Sequence, residues 1–390
     1  MRKYFLDFRV SKNYISWTVL EDCETKQKTV RVSEKLIPVN SSDITKMFDS
    51  IKKYLNNLPL NKNVITNVIF NDDVLSNLEI KLIETHYLQE CFSADKSVKD
   101  ELSLQLSKHF HSSEYIPVTI TSYRYLAYQK VSVKEYLQFP LNKQFSKLIS
   151  KNSAFVTTDI ETLNNIQRLF EYNFDKVNYF IKTQSLANYY KEFDGFNLLL
   201  DTEDSYSSLS LIYNGAVIKY KRLSVGMDKI YEMINQNSRL TKSNTDIQNI
   251  IRYLTKSKNI NILDDGVVSI KKMLDEFAVC YIKLISEFLN CDELKDQKIN
   301  MLALSGVLAN IIEANLNPST FNLNKVHNLY RDNSESIFLN NDIAILQSNL
   351  MTKLDEEDQN KTVNTITNRI NNEINPRKSF LNKIWYAITK

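Results

Sequence analysis

The chain has 390 residues, 43% of them hydrophobic, which is enough for two or three domains with substantial cores. Acidic and basic residues are interspersed and sum to a net charge of +3, so no basic field argues for nucleic acid as a partner. No apolar run approaches the ~18 residues of a membrane span, and the early charges of Met1-Arg-Lys-Tyr-Phe-Leu-Asp7 do not suit a signal peptide, which points to a cytoplasmic protein.

Cys23, Cys91, Cys280 and Cys291 have neither metal-ligand nor disulfide-framework spacing. His109-Phe-His111 would set two imidazoles on one side of a strand, but no nearby Cys or His completes a metal site. The five glycines are Gly195, Gly215, Gly226, Gly266 and Gly306, with none earlier in the chain. Phosphate-cradling loops need backbone without a Cβ, so this scarcity argues against a fully active nucleotide hydrolase.

In chain order, Lys3 to Asn13 and Tyr14 to Leu20 read as strand, turn, strand, with Asp7 and Ser11 near the turn. Ile44, Met47, Phe48, Ile51 and Leu55 have helical spacing within Ser42 to Leu55, and Val64 to Phe70 is a buried-type strand. From Val74 to about Thr158 the pattern changes to short strands: Tyr115 to Thr121, Tyr123 to Tyr128, Phe145 to Ile149 and Ser153 to Thr157. This stretch reads as an insertion. Thr158 and Asp159 then start a helix with Leu163, Ile166, Leu169 and Phe170 on one face. A strand from Lys176 to Ile181 and a short helix from Ser185 to Tyr190 follow.

Phe196 to Leu200 is an apolar strand ending at Asp201 and the acidic turn Asp201-Thr-Glu-Asp-Ser205. Leu209 to Tyr213 and Ala216 to Leu223 flank Asn214 and Gly215, the strongest short hairpin signal because both turn positions need positive φ. Ser224-Val-Gly226 bends into a helix over Met227 to Ile234. Helices over Ile247 to Tyr253 and Val267 to Phe288 follow, the latter with a core stripe through Ile270, Leu274, Phe277, Tyr281 and Ile285. Ile299 to Leu304 is another buried strand, and Ser305 and Gly306 lead into the next helix.

A last helix is expected at Asn340 to Leu346, then a polar linker from Lys353 to Lys378. On a final helix starting near Ser379, residues Phe380, Leu381, Ile384, Trp385 and Ile388 share one face, while Lys383 and Lys390 point away. That is the composition of a helix lying in a membrane interface; docking on the protein's own body is the alternative.

The strand, acidic turn, strand, Asn-Gly turn, strand and glycine-led helix from Phe196 onward resemble the second domain of the actin, chaperone and sugar-kinase superfamily. The resemblance implies an α/β actin-like ATPase fold of two domains, each with a mixed sheet and helices. It also implies ATP and Mg2+ as ligands, with Asp7 and Asp201 near the metal, Ser11 near phosphate, and Gly226, Ser305 and Gly306 around the nucleotide. The sequence departs from the family where Phe8 and Arg9 replace small residues and where glycines are missing after Asp201 and Gly306. Hydrolysis is therefore expected to be slow or absent.

The insertion, linker and terminal helix, with Thr157-Thr158 and Thr183-Gln-Ser-Leu-Ala187 in family positions, resemble the bacterial cell-division family FtsA. That layout divides the chain into a first core subdomain (1–73 and 159–193), an FtsA-type small subdomain inserted in it (74–158), a second core subdomain (194–228 and 298–350), a helical subdomain (229–297), a linker (351–378) and a membrane-targeting helix (379–390). It implies filaments on the inner face of the cell membrane at the division site, an anionic membrane surface as partner, and the FtsZ C-terminal peptide as a second. On the helical subdomain Arg239, Lys242, Arg252 and Lys256 would receive that peptide's carboxylates. A PilM-like pilus-assembly scaffold and a small-molecule kinase of the same superfamily are the alternatives.

Overall fold

A computed structural model describes residues 2–329 except 24–25, 33–36, 39–42, 60–61, 112, 130–131, 191–192, 194, 238–245, 247–248, 252, 255–264, 291–297, 307, 318–320 and 322. The expected last helix, the linker and the tail residues Phe380, Leu381, Lys383, Ile384, Trp385 and Ile388 lie outside the described residues, as do Arg239, Lys242, Arg252 and Lys256.

Two sheets repeat one plan. In the first, β1 (Arg2–Val10) pairs antiparallel with β2 (Tyr14–Cys23), and β2 with β3 (Lys26–Val32). On its other side β1 runs parallel to β5 (Lys62–Phe70), which runs parallel to β10 (Val177–Ile181). The short β4 (Ile37–Pro38) pairs with β2. In the second sheet β11 (Phe196–Thr202), β12 (Ser207–Tyr213) and β13 (Ala216–Leu223) form the same antiparallel meander. There β14 (Ile299–Gly306) and β15 (Lys325–Asn328) add in parallel beside β11. Each half thus has the order third, second, first, fourth, fifth with matching directions. This duplicated α/β plan is the actin-like fold that the sequence resemblance implies.

Local chemistry explains the elements. Strands β11 and β14 are buried along nearly their whole length, with apolar centres at 198–200 and 301–304, because as central strands they are covered on both faces. Asn214 (φ 47°) and Gly215 (φ 77°) make the β12–β13 turn, as their adjacency predicts. Helix α1 (Asp43–Asn56) buries Ile44, Met47, Phe48 and Ile51. Helix α3 (Ile160–Glu171) is capped by Asp159, whose side chain accepts from the Thr162 N–H. Between them Phe8 of β1 meets Phe48 at 5.7 Å and Phe170 at 4.8 Å between ring centroids.

Between β5 and α3 lies the inserted unit: β6 (Glu79–Ser93), α2 (Lys96–His111), β7 (Ile116–Gln129), β8 (Ser132–Tyr136) and β9 (Gln144–Thr157). They form a four-stranded antiparallel sheet in the order β6-β9-β7-β8. The sequence breaks β7 and β9 into four short strands; the structure runs each as one. Register shifts at Pro117/Thr119 and Ser122/Arg124 interrupt the alternation by which a continuous strand is read. His109 and His111 lie on helix α2 rather than on a strand, where a two-residue step turns them about 200° apart. Among the described residues no group of three or more His, Cys, Asp or Glu is placed to hold a metal.

Helix α4 (Lys182–Tyr189) begins at Lys182 instead of Ser185, directly after β10. Strand β14 continues through Ser305 and Gly306, and the helix expected there is Ala309–Asn315. Helix α5 (Met227–Asn237) and the long helix Asp265–Leu289 pack on the second sheet, burying Met227, Ile230, Ile270, Leu274, Tyr281 and Ile285. The core of the first half also takes in Leu199, Ile212, Val217, Met301 and Ala303 of the second, so the halves share packing. Among the described residues no helix is long and apolar enough to cross a membrane. Cys91 and Cys280 are free and exposed.

Candidate functional site

The site is the cleft where the β1–β2 and β11–β12 hairpins meet. In the second hairpin Asp201 stands opposite Ser208 and Thr202 opposite Ser207. The turn closes with the Glu203 N–H donating to the Tyr206 carbonyl at 2.9 Å. Helix α5 rests its first amides on this turn: Met227 N–H donates to Glu203 O at 2.9 Å and Asp228 N–H to Asp204 O at 2.8 Å. That approach requires Gly226, where an added Cβ would lie 2.4 Å from Asp204 O. From the other side Thr202 Oγ1 donates to Ser305 O at 3.0 Å. Gly306 has φ +89°, and a Cβ there would lie 1.9 Å from Thr202 O. Four of the six expected nucleotide residues, Asp201, Gly226, Ser305 and Gly306, therefore converge on one turn.

The other two belong to the first hairpin. Ser11 Oγ accepts from the Tyr14 N–H at 3.0 Å and the Asn13 N–H at 3.2 Å, shaping its own turn. Asp7 lies mid-strand and 3% exposed, accepting from Asn67 Nδ2 of β5 at 2.5 Å. Its partner is thus the neighbouring strand rather than Asp201. Burial raises its pKa to about 8, partly offset by the Asn67 hydrogen bond.

Residues that the sequence reading did not assign complete the centre. Lys182, the first residue of α4, places Nζ 2.6 Å from Asp201 Oδ2 and also on Glu203 Oε1. Arg9, two residues on from Asp7 in β1, reaches Glu203 Oε2 at 2.6 Å through Nη2 and Asn71 Oδ1 at 2.9 Å through Nε. The side chains of Lys182 and Asp201 are fully buried, those of Glu203 and Arg9 9% and 10% exposed. Burial alone would lower the Lys182 pKa, but the Asp201 and Glu203 carboxylates outweigh it and hold the ammonium above its ordinary value. Glu203 is likewise held below the usual carboxylate range against the opposing effect of burial, by Arg9 and then Lys182. Asp201 Oδ1 is buried without a hydrogen-bond partner.

A second buried carboxylate, Asp72 after β5, accepts from the Thr183 N–H at 3.3 Å, from Thr183 Oγ1 and from Tyr220 OH of β13 at 3.0 Å. Burial pushes its pKa up to about 6, opposed by the Thr183 hydrogen bond. The Asp72 backbone joins in, its N–H donating to Tyr206 OH at 3.2 Å and its carbonyl accepting from Arg222. Chemically the cleft is a set of paired ions and hydrogen-bonded hydroxyls tying the first half to the second, with Asp201 Oδ1 left over. Arg9 is visible in the sequence as a large cation where the resemblance expects a small residue; Lys182 carries no local signal.

No protein-family model and no curated protein matches the chain. Among solved structures it is similar to the PilM–PilN type IV pilus biogenesis complex, at 12% identity and a TM-score of 0.47 over 88% of this chain and 96% of that one. It is similar to MreB 5 of Spiroplasma citri bound to AMPPNP, at 11% identity and 0.45 over 95% and 99%. It is also similar to the ethanolamine utilization protein EutJ from Carboxydothermus hydrogenoformans, at 8% identity and 0.39 over 83% and 84%. Likeness this distant assigns no role to any residue here, and the actin-like fold rests on the duplicated sheet order described above.

Proposed function

We propose that this chain is an actin-like assembly protein of the FtsA type, working by binding and self-association rather than by nucleotide turnover. In this reading the terminal helix, with Phe380, Leu381, Ile384, Trp385 and Ile388 as its apolar face and Lys383 beside it, holds the body on the inner face of the cell membrane at the division site. The body then tethers FtsZ filaments, whose C-terminal peptide meets Arg239, Lys242, Arg252 and Lys256 through charge-assisted hydrogen bonds. One twelve-residue helix binds reversibly, and an array of tails on a filament binds firmly.

The observation that carries the reading is the amphipathic stretch from Ser379 to Lys390, since a PilM-like scaffold would share the inserted unit. A duplicated actin-like body bears a four-stranded sheet between β5 and α3, in a chain whose sequence ends in a linker and an amphipathic stretch. The cleft favours assembly over a kinase, because phosphoryl transfer needs a free general base and open phosphate loops. Here Asp201 and Glu203 are held by Lys182 and Arg9.

The test is co-sedimentation of FtsZ filaments with anionic vesicles. FtsZ is expected in the pellet when the full chain and the vesicles are both present, and in the supernatant when either is left out. FtsZ remaining in the supernatant while the chain itself pellets would contradict the FtsZ assignment and favour a PilM-like scaffold.

A further inference from the structure

We infer that the cleft is closed by its own ions: the ammonium of Lys182 and the guanidinium of Arg9 occupy the charge positions that a magnesium nucleotide would take, so closure of the two halves needs no nucleotide. This inference does not depend on the membrane or FtsZ reading.

The geometry is specific about direction. Both cations come from the first half, Arg9 from β1 and Lys182 from the start of α4. Both carboxylates come from the second, Asp201 from β11 and Glu203 from the turn after it. The contacts at 2.6 Å from Lys182 to Asp201 and from Arg9 to Glu203 therefore cross the cleft, and Lys182 joins the two by also binding Glu203. Within this quartet two positive and two negative charges sum to zero, so each of its carboxylates already has a cation against it.

A magnesium nucleotide does not fit these residues. Its metal would need Asp201, whose Oδ2 is taken by Lys182, and a divalent cation on the remaining Oδ1 would stand beside that buried ammonium and be repelled by it. Its phosphates would need free amides at the hairpin turns, but the Ser11 N–H donates to Tyr14 O and the Glu203 N–H to Tyr206 O, each at 2.9 Å. The Ser11 hydroxyl is engaged within its own turn. Around the quartet, Asp72 with Tyr220 and Gln184 with Gly215 O at 2.8 Å join the same two halves. Side chains of the chain itself thus bridge its two halves.

The experiment uses the full chain and two variants. Calorimetric titration with MgATP is expected to give no saturable heat up to about 1 mM, and saturation at micromolar nucleotide would overturn the inference. Lys182→Met leaves a buried carboxylate without its cation and is expected to lower Tm by about 4–7 °C. The double variant Lys182→Met/Asp201→Asn leaves the Arg9–Glu203 pair balanced and is expected to recover most of that loss. An unchanged Tm in the single variant, or a double variant as labile as the single, would contradict the ionic closure. If the single variant does not fold, the double decides: a Tm near that of the unaltered chain supports the clamp, and failure to fold overturns it.

Discussion

Asp7 sits near the middle of β1, 3% exposed, with its carboxyl on Asn67 and a pKa raised by burial to about 8. The folded protein thus keeps a proton that the unfolded chain releases above the ordinary value of 3.8. The stability this group lends is full below that value, declines as pH rises, and is gone above about 8. Asp7→Asn removes the slope. The variant should gain on the unaltered protein between pH 5 and pH 8 by a few kcal/mol, given ~1.4 kcal/mol per unit of pKa shift, in urea unfolding at both pH values. An equal difference at the two would contradict a buried, protonated Asp7.

Gly306 gives a second prediction at this scale. With φ +89° and Thr202 O 1.9 Å from where a Cβ would stand, Gly306→Ala should cost ~3 kcal/mol or more in chemical denaturation. A loss below ~0.5 kcal/mol would show that β14 can move away from β11. Residues were legible where chemistry is local, as at the Asn214–Gly215 turn and the Asp159 cap. Lys182 was not legible, because its partners lie 19 and 21 residues away and meet it only after two sheets have formed.

At the scale of elements, α4 is the link between the halves. Gln184 donates to Gly215 O and to Asn188 Oδ1, each at 2.8 Å, and accepts from the Val217 N–H at 3.3 Å. Gln184→Ala would leave buried groups of the β12–β13 hairpin unpaired, so we expect a loss of ~1–3 kcal/mol in unfolding free energy. A neutral result would mean that water or a shifted side chain replaces the amide. Helices with a broad apolar face, such as Asp43–Asn56 and Asp265–Leu289, were readable from spacing. Helix α2 was not, since its buried side chains Val98, Leu102, Leu106 and Phe110 form a narrow i, i+4 row among polar neighbours. Strand β6, at the edge of the inserted sheet, alternates buried and exposed positions only in part and escaped notice for the same reason.

For the whole molecule, the repeated order of two five-stranded ladders was legible in outline, because strand, turn and helix followed one another in the same sequence in each half. The ionic closure of the cleft was not, since it arises only when the halves meet. Together these features describe a body whose halves are joined by its own ions, and in the function proposed above the amphipathic sequence beyond it is what meets a membrane surface. Flotation with anionic vesicles, without nucleotide, of the full chain and of a version ending at Asn375 tests that account most directly. It predicts that the full chain floats and the shortened one stays at the bottom. Equal behaviour of the two, or flotation that requires ATP, would contradict it.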